Sequence, residues 1–173
     1  YHGIAFHFIS QPIQYTISSF VEKISGASFY GSYLIAKHVA VFIIFSISSI
    51  FFYLLCLKIS KNFSFSLIAS TIYLFYPYLY GHAQINVKDI PFLSIWLINT
   101  YLFLLVVENI FNRKQIKIRN IVFLSFLTAF LVSIRISGVI IFFQYIVGLL
   151  ILFNYFKIEF RFILKKYLKL FLY

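Results

Sequence analysis

The sequence has no methionine, one cysteine, three prolines, six glycines and four acidic residues in 173 positions. Each shortage excludes something. A lone Cys56 inside an apolar run provides no disulfide framework and no paired-thiol metal site. It reads as a small core or lipid-facing residue and says nothing of redox compartment. No phosphate-cradling glycine loop and no HExxH zinc pattern occur. No Ser-His-Asp spacing supports nucleophilic catalysis, and nothing indicates a metal or other cofactor. With no start residue before Tyr1-His2-Gly3, and an end at Phe171-Leu172-Tyr173 inside an apolar-basic segment, the chain is expected to be a fragment.

Charged residues make up 11% of the chain, hydrophobic residues 62% and aromatics 23%, with a mean hydropathy of +0.96. A soluble domain of this length cannot hide so much apolar surface. The apolar runs are continuous, unlike the alternating strands of a membrane barrel. The expected fold is therefore all-α, a polytopic transmembrane helix bundle of about five spans plus interfacial helices. The spans are expected near 34–57, 64–80, 91–108, 121–134 and 139–155. Residues 1–32 form an extracytoplasmic interfacial segment, with a short helix from Pro12 to Lys23 whose apolar positions are Ile13, Ile17, Phe20, Val21 and Ile24. Residues 156–173 form a basic interfacial tail.

The net charge of +11 points to membrane topology rather than to nucleic acid. The connectors 58–63 and 109–120 and the tail hold eleven Lys and Arg; the other side holds only Lys23, Lys37, Lys88 and Arg135. Positive charge favours the cytoplasm. The loop 81–90 is thus expected on the extracytoplasmic face, with Arg135 and residues 1–32.

That loop concentrates the titratable groups. Gly81 to Pro91 holds His82, Lys88 and Asp89 between two apolar runs. Ionisable groups at a membrane bundle are costly and tend to be functional. Asp89 reads as a base, a ligand or a partner for a cation, and equally as a helix cap before Pro91. Lys88 suits a phosphate or snorkels to the interface. His82 suits a hydrogen bond to phosphate or carboxylate, or a structural place at a helix end. Asn86 reads as a turn former. Lys37 and His38 open the first span, as ligands or interfacial anchors. Arg135 lies where positive charge is disfavoured, so it faces the bundle or a headgroup phosphate. Ser137-Gly138 lets the chain turn beside it. Tyr73, Tyr76, Tyr78 and Tyr80 form an aromatic belt. The cations beside one acid suit an anionic lipid headgroup, above all a polyprenyl phosphate or pyrophosphate.

Residues 76–91, Tyr-Pro-Tyr-Leu-Tyr-Gly-His-Ala-Gln-Ile-Asn-Val-Lys-Asp-Ile-Pro, resemble the segment P-x-x-x-x-H-x-x-x-N-x-K-D-x-P of polyprenyl-phosphate-sugar glycosyltransferases. These are the protein-mannosyltransferase-like and aminoarabinose-transferase-like members of the GT-C fold. Lys37-His38, where relatives often carry Arg-His, adds to the likeness, as does the turn Arg135-Ile136-Ser137-Gly138. The likeness runs loosely over residues 1–155, and only these motifs are specific. It implies an enzyme in a bacterial inner membrane that passes a sugar from a polyprenyl-phosphate donor to a protein, lipid or glycan. It also implies that Lys88, Arg135, Lys37 and His38 bind the donor phosphate and that Asp89 and His82 are the catalytic groups present. The family's principal acid would lie upstream of residue 1, leaving this chain inactive alone. An anionic-lipid transporter or flippase would use the same cations without bond chemistry. A non-catalytic scaffold subunit would use Asp89 as a cap and the cations as anchors.

Overall fold

The computed structural model describes residues 5–26, 28–112, 114–115 and 117–156, with side chains to residue 151. Among them the structure is all-helical: α1 (Ala5–Ser25), α2 (Phe29–Ser60), α3 (Phe63–Phe75), α4 (Pro77–Ile85), α5 (Asp89–Phe111), α6 (Ile118–Ile134), a 3₁₀ turn (Ile136–Ile140) and α7 (Ile141–Phe156). The bundle architecture expected from composition is present. The basic tail falls outside the described residues beyond Phe156.

Local chemistry sets the helix ends. Gly26 takes a positive φ of 62° past the end of α1, a conformation glycine adopts without a Cβ penalty. Ser28 then caps α2 by accepting from the Gly31 amide at 3.4 Å. Lys61 closes α2 with φ 55°, its backbone N–H donating a hydrogen bond to the Leu57 carbonyl at 2.9 Å. Asn62 caps α3 through the Phe65 amide at 3.0 Å.

Among the described residues two helices, α2 and α5, are long and apolar enough to cross a membrane. Their relative direction follows from paired side chains. Phe51 meets Tyr101 with ring centroids 5.6 Å apart, and Lys58 reaches Glu108 at 2.5 Å. Both helices advance by the same number of residues between these contacts, so they run parallel. α6 returns antiparallel to α5, since Asn99 donates to Thr128 at 3.1 Å while Arg135 pairs with Asp89. The α2–α3 and α5–α6 connections therefore lie at one end of the bundle. The 86–88 turn and the Arg135 turn lie at the other.

Three expectations are corrected. The run 64–80 is not one continuous helix: it breaks at Tyr76, and Pro77 starts α4 as its first residue. Proline has no N–H to continue the ladder of α3, while its fixed φ suits a helix start. Lys37 and His38 do not open α2, which starts at Phe29. They stand about 12 Å along it, at 1.5 Å per residue.

The third correction concerns α1, which spans 21 residues with Pro12 inside it rather than a short segment from Pro12. Its contact with α2 is the most extensive between any two helices. The buried stripe is Ser10, Gln14 and Ser18, while Phe20 and Ile24 are exposed. Opposite them α2 buries Ser32, Ala36 and Ala40 at the same four-residue spacing. Small side chains let two helix backbones approach closely. Of the apolar positions that located α1, Ile13, Ile17 and Val21 are half-buried beside this stripe and only Phe20 and Ile24 lie on the outer surface.

Elsewhere in the bundle small polar side chains share the interior with the apolar core. Ser48, Ser66, Ser70, Ser94, Asn99 and Thr128 are buried, whereas Phe63, Phe65, Ile68, Ile72, Phe75, Phe143 and Ile151 are exposed. Inside, Phe45, Val41, Leu131 and Ile141 form the most enclosed part of the apolar core.

Candidate functional site

The site is built where α4 ends and α5 begins. Asn86 closes α4, its amide bonded to the His82 carbonyl at 2.7 Å. Its side-chain Oδ1 then accepts the amides of Lys88 at 3.1 Å and Asp89 at 2.9 Å. This turn satisfies donors that the start of a helix leaves open. Lys88 is the residue flanking α5, and Asp89 is the first helical residue. The carboxylate thus meets the positive end of the helix dipole, but the capping oxygen belongs to Asn86. The reading of Asp89 as the cap is corrected accordingly.

The Asn86 amide nitrogen donates to Asp89 Oδ2 at 3.1 Å and stands 3.5 Å from His82 Nδ1. The Tyr78 ring packs on His82 with centroids 4.3 Å apart. The other carboxylate oxygen, Oδ1, accepts from the Arg135 guanidinium. His82, Asn86, Asp89 and Arg135 therefore form one chain of polar contacts across 53 positions of sequence, from 82 to 135. The Asp89 and Arg135 side chains are 56% and 55% exposed, so the chain opens outward and is accessible to a ligand.

Arg135 is placed by its backbone. Its amide bonds the Leu131 carbonyl at 3.2 Å to end α6, and its own carbonyl accepts from Gly138 at 2.8 Å. Gly138 is required by space. A Cβ there would stand 2.9 Å from the Leu131 carbonyl oxygen and 3.0 Å from its carbon.

Lys88 is exposed beside this chain, and its side chain makes no ion pair with a described residue. Asp89 and Arg135 neutralise one another, so the local excess of one positive charge resides on Lys88. The residues expected to act together are only partly gathered. His38 faces the opposite side of α4, in a groove of about 290 Å³ lined by Ile35, His38, Val39, Phe42, Tyr80 and Gln84. Its Nδ1 is buried without a hydrogen-bond partner among the described residues. Lys37 is half-buried and joins no polar contact of the Asp89 chain.

Among the described residues no three His, Cys, Asp or Glu side chains stand close enough to hold a metal ion. Sequence reasoning underrated Asn86, taken for a turn former. The signal was present: Asn two and three positions before Lys88 and Asp89, at a spacing where its side chain reaches both amides. Tyr78 was assigned to a belt, and its ring contact with His82 follows from their separation of one helical turn.

No protein-family model, curated protein or solved structure matches the chain.

Proposed function

We propose that this chain is a membrane glycosyltransferase that moves a sugar from a polyprenyl-phosphate donor to an extracytoplasmic acceptor. The observation that carries the reading is the open Asp89–Arg135 pair with Lys88, unpaired among the described residues, beside it. It falls within the segment 76–91 that resembles the family motif. The apolar outer surface and two spanning-length helices support an integral membrane setting. The charge difference between connectors supports a cytoplasmic side for 58–63 and 109–120.

In this reading the bond from the anomeric carbon to the phosphate oxygen breaks as the acceptor oxygen attacks. The acceptor's proton passes to a base, and the lipid phosphate leaves with the bonding electrons. Lys88 stabilises the charge on that phosphate and Arg135 frames it. Asp89 and His82 are the acid-base groups of the site.

Sugar release from a labelled polyprenyl-phosphate donor, in membranes carrying the full-length protein, tests the reading. Lys88→Ala and Arg135→Ala are expected to abolish transfer with insertion intact. Full turnover in both variants would overturn it. One observation favours a second reading: the helix broken at Pro77 is a device also used by transporters. Under that reading the lipid crosses the bilayer with its sugar-phosphate bond uncut, which the same labelled donor reveals.

A further inference from the structure

Asn86 carries more of the site than a turn requires. A turn needs only its Oδ1, which accepts the Lys88 and Asp89 amides at 3.1 and 2.9 Å. Its Nδ2 does something separate. It donates to one carboxylate oxygen of Asp89 at 3.1 Å, leaving the other for Arg135. A carboxylate at a helix start can rotate and bond water through either oxygen. Fixing Oδ2 removes that freedom and aims Oδ1 across to α6. The same Nδ2 stands 3.5 Å from His82 Nδ1, so one amide group orders both titratable neighbours.

We infer that Asn86 is a positioning residue. Its amide aims the Asp89 carboxylate at Arg135 and thereby holds α5, the 86–88 turn and the end of α6 in one arrangement around Lys88. The exposed pair alone would contribute little, since ion pairs open to solvent are screened and lose side-chain freedom. A fixed carboxylate loses less freedom on pairing, so the pair and the amide are mutually dependent. The inference rests on the proposed donor-phosphate site only for its catalytic consequence.

Asp89 is the chain's only aspartate, which gives a background-free experiment. Protein labelled with ¹³C at the aspartate carboxyl carbon yields one resonance. Arg135→Gln is expected to displace it. Asn86→Ser keeps an oxygen to accept the turn amides but has no amide to donate. On the Asn86→Ser background, Arg135→Gln is expected to move the resonance by roughly half as much or less, the non-additivity of coupled sites. Equal displacements on both backgrounds would show that Asn86 does not aim the carboxylate, and the inference falls. In the transfer assay Asn86→Ser is expected to slow turnover about tenfold or more, as for a displaced reacting group. Coupled resonances with transfer in the full-length protein unchanged by Lys88→Ala and Arg135→Ala would overturn the glycosyltransferase reading and leave the positioning role standing.

Discussion

The indole Nε1 of Trp96 donates to Oε1 of Gln144 at 2.7 Å, joining α5 to α7 across 48 residues. Gln144 passes the contact on, its Nε2 donating to Thr100 Oγ1 at 2.9 Å. A turn further along α5, Asn99 bonds Thr128, whose hydroxyl lies 2.8 Å from Tyr145. Side-chain hydrogen bonds thus stitch three helices together within an apolar stretch. Gln144→Leu is expected to destabilise the protein by roughly 1 kcal/mol, the scale of such bonds between membrane helices. Detergent-induced unfolding measures this, and an unchanged midpoint would show that Trp96 finds another acceptor.

The glycines divide into two kinds. A Cβ at Gly138 meets the Leu131 and Val132 backbone at 2.9–3.0 Å, whereas one at Gly81 meets nothing within 4 Å. Gly138→Ala is expected to cost about 1–3 kcal/mol, because backbone must move to admit the methyl. Gly81→Ala, inside α4, is expected to be neutral or stabilising by up to about 1 kcal/mol. Thermal unfolding of the two variants side by side decides it. Equal midpoints would mean that the Arg135 turn yields easily.

His38 offers a test of burial. Its Nδ1 is enclosed without a partner among the described residues, and the groove around it is mostly apolar. Removing an unsatisfied polar atom relieves a desolvation cost. His38→Leu is therefore expected to hold or raise the thermal midpoint. A clear fall would reveal that the imidazole is satisfied by a bound group in the membrane.

Topology can be read with a membrane-impermeant maleimide. In a Cys56→Ala background, Lys61→Cys and Ile85→Cys sit at opposite ends of the α3–α4 pair, both exposed. They are expected to label from opposite sides, with Lys61→Cys reached only after the membrane is opened. Labelling of both from one side would overturn the crossing.

Much of this was legible in one dimension. Continuous apolar runs forecast the helices, and Arg135-Ile136-Ser137-Gly138 forecast the break, because each signal is local. The break at Tyr76-Pro77 was not, since apolar residues continue on both sides and proline is equally at home starting a helix. The length of α1 was misjudged because Pro12 reads as a helix start, whereas it lies inside the helix. The grouping of Asp89 with His82 was within reach of local spacing. Its bond to Arg135, 46 positions away, depended on how α5 meets α6. The separation of His38 from His82 arises because Tyr80 and Gln84 lie on one face of α4 and His82 on another.

α5 carries two of the chain's four acids, Asp89 in its first turn and Glu108 in its last. Each is held by a cation from a neighbour: Arg135 at one end, Lys58 at the other. A piston stroke of one helical turn, about 5.4 Å, would part both pairs at once. Two solvent-screened ion pairs thus mark the register of α5 against its neighbours at both ends without locking it.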